Sequence, residues 1–305
     1  MKHILKADQF TPDDIRETFE LARKLEGQPP RGNATLLTGK TIACVFYEPS
    51  TRTSSSFIAA MTKLGGGVVP ITQGVQFSSV AKGETLEDTI RTLGQYADAI
   101  VLRHPETGSA ERAAKVSPVP IINAGDGIGE HPTQAMLDLY TIFREFGRLD
   151  GLTVTLVGDL ANGRTIHSLV KLLNRYNVRF NLVSPELLRL KSSLGIEPRL
   201  DAEVIVHRGL TEARDVLNAS DVIYMTRVQK ERFSYNDHYE DVKDSCLLTP
   251  ELVSGMKETA RILHPLPRVN EIPTEIDADP RAAYFRQVRY GLFVRMALLV
   301  RTLGA

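Results

Sequence analysis

Residues 41–64 read TIACVFYEPSTRTSSSFIAAMTKL. The run 41–47 has the composition of a buried strand, the Pro-containing segment 48–53 is a loop, and 54–64 is a helical stretch. Strand, loop and helix in that order make half of a βαβ unit, and the pattern continues outward from it. ADAIVL (97–102) and PIIN (120–123) are further strands, with a helix at TLEDTIRTLGQY (85–96). Alternation of this kind indicates a parallel sheet. Upstream, a helix opens near Thr11-Pro12-Asp13-Asp14, places Ile15, Phe19 and Leu25 along one face, and stops at QPPRGN (28–33). Downstream the pattern restarts after RLDG (148–151), with strands at 153–158, 179–184, 221–226 and 260–263. The sequence therefore predicts an α/β protein of two domains, each a mostly parallel sheet flanked by helices. Helix 132–146, with Met136, Leu139, Phe143 and Phe146 on one face, and a C-terminal helix over 281–303 are expected to cross between them. The expected division is 1–135 plus about 285–305, and 136–284, and a length of 305 residues suits two domains of about 150 each.

Composition narrows the function. Lys and Arg number 37, Asp and Glu also 37, so no bulk field draws the chain to nucleic acid or an anionic membrane. Anion binding must be local. No apolar run approaches the roughly 18 residues that span a bilayer, and Asp8 interrupts the place where a signal peptide needs its apolar stretch, so a cytoplasmic protein is expected. Cys44 and Cys246 are too few for a disulfide framework and read as buried thiols. Seven histidines show no metal-ligand spacing, and no metal or cofactor is expected.

Arginines recur at the carboxyl ends of strands: Arg52 after 41–47, Arg103 after 97–102, Arg164 after 153–158 and Arg227 after 221–226. Ligands of open α/β sheets bind there, so two such domains offer four guanidinium groups to small, multiply anionic ligands. Ser50-Thr51-Arg52-Thr53 joins hydroxyls, backbone N–H groups and a guanidinium at one helix start, which suits a phosphate. The same residues would also serve as an ordinary cap with a solvated arginine. His131 and Gln134, three apart at the start of a helix, could polarise a carbonyl or merely cap. GDLANGRT (158–165) has the glycine spacing of a P-loop, but Asp159 would repel a triphosphate and Arg164 suits a carboxylate better. Segment 73–84 has few apolar anchors and reads as a mobile loop with Lys82 as its one cation. The prolines of His264-Pro265-Leu266-Pro267-Arg268 leave carbonyls without sheet or helix partners, ready to accept from an amine, and Leu266-Pro267 is a candidate cis bond.

Taken together, Ser50-Thr51-Arg52-Thr53, Arg103-His104-Pro105, His131-Pro132-Thr133-Gln134, Gly163-Arg164-Thr165, Thr226-Arg227-Val228-Gln229 and His264-Pro265-Leu266-Pro267-Arg268 resemble the catalytic chains of the aspartate carbamoyltransferase family over nearly the whole length. One position departs from many members, which have Arg where this chain has Ser54. The resemblance implies transfer of a carbamoyl group from carbamoyl phosphate to L-aspartate in pyrimidine synthesis, with no cofactor. It assigns Ser50, Thr51, Arg52 and Thr53 to the phosphate, and Thr53, Arg103 and His131 to the carbonyl oxygen. Gln134 then holds the carbamoyl amide, Arg164, Arg227 and Gln229 the aspartate carboxylates, and the carbonyls of Pro265 and Leu266 the amine. Ser78 and Lys82 are implied to come from a neighbouring subunit of a homotrimer. A regulatory chain or a fusion partner stays open. Ornithine carbamoyltransferases are the nearest rival, but they carry His-Cys-Leu-Pro and Asp-x-x-Ser-Met-Gly where this chain has Pro265 and Thr226-Arg227-Val228-Gln229, and Arg227 would repel ornithine's ammonium. A non-catalytic relative that only binds or assembles fits poorly with an intact set of Arg52, Lys82, Arg103, His131, Arg164 and Arg227.

Overall fold

The computed structural model describes residues 2–28, 30–72, 79–192, 195–229, 233 and 239–304. The chain divides into two compact units, Met1–Tyr140 with Arg289–Ala305, and Thr141–Val288.

In the first unit the route is α1 (Pro12–Gly27), α2 (Pro30–Asn33), β1 (Thr41–Phe46), α3 (Thr51–Lys63), β2 (Gly67–Ile71), α4 (Leu86–Leu93), β3 (Ala99–His104), α5 (Ser109–Val116) and β4 (Ile121–Asp126). Helix α1 starts where its chemistry demands. The Thr11 hydroxyl accepts from the Asp14 N–H at 3.1 Å, while the Asp14 carboxylate accepts from the Thr11 N–H at 3.0 Å, a reciprocal capping box with Pro12 in the first turn. Its buried stripe includes Ile15, Phe19, Ala22 and Leu25. The four strands pair in parallel in the order β2-β1-β3-β4. Between sheet and helices lies a core that includes Val45, Ile90, Ile100, Leu102 and Ala113.

Helix α6 (Pro132–Phe146) carries the chain across the division. The second unit continues with β5 (Thr153–Val157), α7 (Arg164–Leu173), β6 (Arg179–Ser184), β7 (Leu200–Ile205), α8 (Arg214–Ala219), β8 (Val222–Met225), α9 (Tyr239–Val242), α10 (Pro250–Gly255) and β9 (Arg261–Leu263), before α11 (Tyr284–Leu303) returns to the first. Its sheet is also parallel, ordered β7-β6-β5-β8-β9. Cys44 and Cys246 are both buried, unbridged thiols, and burial pushes each up to about 12.

Three differences from the sequence reading have physical causes. Strands β2 and β7 were not expected; both are sheet edges with partly exposed side chains, β7 interleaves Asp201 and Glu203 with its apolar residues, and the short apolar run of β2 contains Pro70, which argues against a strand and is tolerated only at such an edge. Helix α3 begins at Thr51 rather than 54, which brings Arg52 and Thr53 into its first turn. Helix α6 is buried around its whole circumference from Pro132 to Thr141, so Thr133, Asp138 and Thr141 are enclosed although the spacing suggested a single apolar face.

Candidate active site

In the first sheet the strand order reverses between β1 and β3, and such a reversal opens a crevice beyond the carboxyl ends of the two strands. Phe46 pairs with Arg103 there, so the loop after β1 runs beside the end of β3. The Tyr47 N–H donates to the Arg103 carbonyl at 2.9 Å. Arg103 Nε donates to Glu48 at 3.2 Å, and its Nη1 to the Ser50 hydroxyl at 3.3 Å. Ser50 occupies the N-cap position of α3 with φ −153°, but its hydroxyl makes no capping bond. An ordinary cap is thus not what Ser50 supplies; its hydroxyl serves Arg103, and the first turn keeps backbone donors for an anion. Thr53 is buried, whereas Thr51 and Arg52 are exposed.

The turn after β4 is built by two polar side chains. Asn123 Oδ1 accepts from the Gly125 N–H at 2.8 Å, and the Asp126 carboxylate accepts from the N–H groups of Gly108 and Glu130, both at 2.9 Å. This holds the segment that delivers His131 to the start of α6, where its carbonyl accepts from the Ala135 N–H at 3.1 Å. His131 and Gln134 are both buried. The Gln134 amide N–H donates to Asp138 at 2.8 Å, one turn on, rather than reaching back to the helix start. Lys82 is exposed at the end of a short 3₁₀ turn, Ser79–Lys82, and Ser78 lies outside the described residues, as does the rest of 73–78 in the expected loop 73–84.

The second sheet reverses between β5 and β8, where Val157 pairs with Met225. Gly158 has φ 113°, and a Cβ there would lie 2.2 Å from the Thr226 carbonyl oxygen, so only glycine lets the two strand ends approach. Asp159 is fully buried and accepts from the Asn162 N–H at 2.9 Å and from the Gln229 N–H. Burial outweighs these bonds and pushes its carboxyl above the ordinary value. The Gln229 side-chain N–H donates to the Asn162 carbonyl at 3.3 Å. Asp159 therefore ties the loop before Arg164 to the segment after Arg227, and the partly exposed Arg164, Arg227 and Gln229 follow the carboxyl ends of the neighbouring strands β5 and β8.

Beyond β9 the backbone turns sharply, with Leu266 at φ 56° and a cis Leu266-Pro267 bond. His264 Nδ1 accepts from the Leu266 N–H at 2.7 Å, so the ring proton resides on Nε2 and is donated to Glu271 at 2.7 Å. Burial raises the Glu271 carboxyl, but His264 and the Val269 N–H, at 3.0 Å, together hold it below its ordinary value. Pro265 and Leu266 remain partly exposed.

Sequence reasoning missed Glu48, Asp126, Asp138 and Glu271, the acids that orient these groups. Asp138 alone had a readable signal, four residues after Gln134 and so beside it on a helix. Among the described residues no group of three or more His, Cys, Asp or Glu is placed to hold a metal ion. A separate cavity of about 380 Å³ in the second unit, with Glu186, His207 and Asp241 in its wall, shares none of the motif residues.

Both halves match family models: residues 2–144 the aspartate/ornithine carbamoyltransferase carbamoyl-phosphate-binding domain, and 150–302 the aspartate/ornithine-binding domain of the same enzymes. The chain belongs to the aspartate/ornithine carbamoyltransferase family. Within it, the similarity runs to aspartate carbamoyltransferases. The catalytic subunit of that name from Thermoplasma volcanium is 47% identical, over 99% of this chain and 98% of the relative. An aspartate transcarbamoylase of Trypanosoma cruzi, solved with carbamoyl phosphate and aspartate, superposes with a TM-score of 0.88 at 43% identity, covering 98% of this chain and 96% of that one. A multifunctional protein of Saccharomyces cerevisiae is 52% identical over 99% of this chain, which spans 14% of that protein's length.

Proposed function

We propose that the chain transfers the carbamoyl group of carbamoyl phosphate to the amine of L-aspartate, giving N-carbamoyl-L-aspartate and phosphate in de novo pyrimidine biosynthesis. One observation carries the reading: motif residues of each unit stand at the single reversal of its strand order, Ser50 and Arg103 at one and Arg164, Arg227 and Gln229 at the other. The relatives whose names state this activity support it.

Carbamoyl phosphate sits in the first unit. Ser50, Thr51, Arg52 and Thr53 take its phosphate at the start of α3, and Thr53, Arg103 and His131 donate to its carbonyl oxygen. Arg164, Arg227 and Gln229 in the second unit take the carboxylates of aspartate, and the carbonyls of Pro265 and Leu266 accept from its amine. The amine nitrogen forms a bond to the carbonyl carbon, negative charge builds on the carbonyl oxygen, and the bond to the phosphate oxygen breaks. Each preorganised donor to that oxygen lowers the barrier by about 3–4 kcal/mol. The leaving phosphate accepts the proton that the amine sheds, so no side-chain base is required. Proximity supplies much of the remaining acceleration.

The site is completed by Ser78 and Lys82 of a neighbouring subunit in a cyclic homotrimer, for which the exposure of Lys82 is the supporting observation. The protein works in the cytoplasm; among the described residues no helix is long and apolar enough to cross a membrane. The deciding experiment is an assay of the purified chain with carbamoyl phosphate, offering aspartate and ornithine in parallel. Carbamoyl aspartate and no citrulline are expected. Carbamoylation of ornithine in preference, or of neither amine, would overturn the reading.

A further inference from the structure

A carbamoyl group differs from an acetyl group only in bearing NH₂ where acetyl bears CH₃, so an enzyme that tells them apart needs an acceptor aimed at that NH₂. Gln134 has an acceptor at one end of its amide and a donor at the other, and the two ends have nearly the same shape. What decides which end faces outward is buried beneath it. Asp138, one turn along α6, has no exposed surface and accepts from Gln134 Nε2 at 2.8 Å. A carboxylate oxygen can only accept, so this bond admits one of the two amide orientations and leaves Oε1 at the opposite edge.

A second buried group, of opposite charge, lies in the same unit. Arg295 of α11 is enclosed in the same unit, with its guanidinium carbon 5.3 Å from the centroid of the Phe57 ring. Burial drives its pKa down to about 10, and the charge of Asp138 works against that fall. Asp138 thus offsets part of the cost of burying the Arg295 charge.

We propose that Asp138 is a positioning residue: it locks the Gln134 amide with its oxygen presented, and thereby makes the chain selective for acyl phosphates whose acyl group carries an N–H donor. The inference rests on the reading that carbamoyl phosphate binds at Gln134. A methyl group at that place leaves Oε1 buried without a donor, which costs affinity, and a reversed amide would set donor against donor.

The test compares kcat/KM for carbamoyl phosphate and acetyl phosphate, with aspartate as the common acceptor, in the whole enzyme. Absence of carbamoyl aspartate from the wild type would sink the functional reading itself. In Asp138→Asn, whose side chain can face Gln134 with either oxygen or NH₂, the preference for carbamoyl phosphate should fall about ten-fold or more while KM for aspartate holds. Asp138→Asn made in a Gln134→Leu background should add nothing to the loss, since Asp138 acts through Gln134. An unchanged preference in folded Asp138→Asn, or a full further loss in the double variant, overturns the proposal. Should Asp138→Asn not fold, side-chain NMR of Gln134 in the wild type decides, with the resonance assigned by its loss in Gln134→Leu. Adding carbamoyl phosphate should shift the amide carbonyl carbon and leave the NH₂ protons in place; a shift of the NH₂ protons alone overturns it.

Discussion

Arg103, at the end of β3, and Arg52, in the first turn of α3 after β1, are held quite differently. Arg103 is about four-fifths enclosed, with Glu48 and the Ser50 hydroxyl fixing its guanidinium, so its direction is set before any ligand arrives. Arg52 is exposed on the first turn of α3. Replacing Arg52 with Ala should therefore leave thermal unfolding unchanged while lowering kcat by about two to three orders of magnitude, because the departing phosphate loses a guanidinium. Steady-state kinetics beside a melting curve checks this, and a stable, fully active variant would remove Arg52 from the phosphate site. Arg227→Ala should raise KM for aspartate by ten-fold or more, with phosphate still binding as in the wild type. Titration calorimetry with phosphate, alongside kinetics at varied aspartate, separates the two; equal weakening of both would contradict the assignment of Arg227 to a carboxylate. These motif residues were legible in the sequence because they stand in short runs with unusual chemistry. Glu48 and Asp126 were not, since an acid beside a motif looks like any solvated acid until the fold turns it inward.

At the scale of elements, strand ends must approach closely for the loops to converge. Gly158→Ala forces a Cβ to within 2.2 Å of the Thr226 carbonyl oxygen and asks alanine to hold φ 113°, so β5 and β8 must part. A loss of about 2–4 kcal/mol in stability is expected, read from chemical denaturation, together with weaker aspartate binding. Glu145, at the end of α6, illustrates the electrostatic side. Its carboxylate accepts from Arg261 at 2.7 Å and from Arg286 at 2.9 Å. Burial alone would raise its pKa, but Arg286 and Arg261 outweigh it and hold the group below its ordinary 4.5. A depressed folded-state value contributes stability fully above the unfolded value and loses it as pH falls through the folded one. The wild type should accordingly be about 1–3 kcal/mol more stable than Glu145→Gln at pH 7, and the gap should shrink once the pH drops below roughly 4.5. Denaturation at pH 7 and pH 3 measures it; a gap that does not narrow would discount the ion pairs.

For the whole molecule, the proposed trimer has a consequence no single-chain enzyme shares. Arg52→Ala and Lys82→Ala homotrimers should each be nearly inactive, because every site lacks one group. Refolded together in equal amounts, about a quarter of sites should pair an intact phosphate loop with an intact lysine from the neighbour, and activity should return in proportion. No recovery, despite demonstrated subunit exchange, would mean that Lys82 serves its own chain or none.

The α/β class, the central strands and most motif residues follow from the sequence, because buried parallel strands need continuous apolar runs and anion sites need guanidinium and hydroxyl groups close in the chain. Tertiary structure decided the rest. Strand order cannot be read from local composition, so the two reversals that gather Ser50 with Arg103 and Arg164 with Arg227 appear only once the sheets are assembled. Of the edges, β7 lacked a continuous apolar run because its side chains stay partly exposed, and Pro70 masked the short apolar run of β2. Likewise, Asp138, Asp159 and Glu271 gain their meaning from enclosure: an acid in a sequence is a solvated charge, whereas an acid shut inside a fold must be bonded, and what it bonds to it also aims.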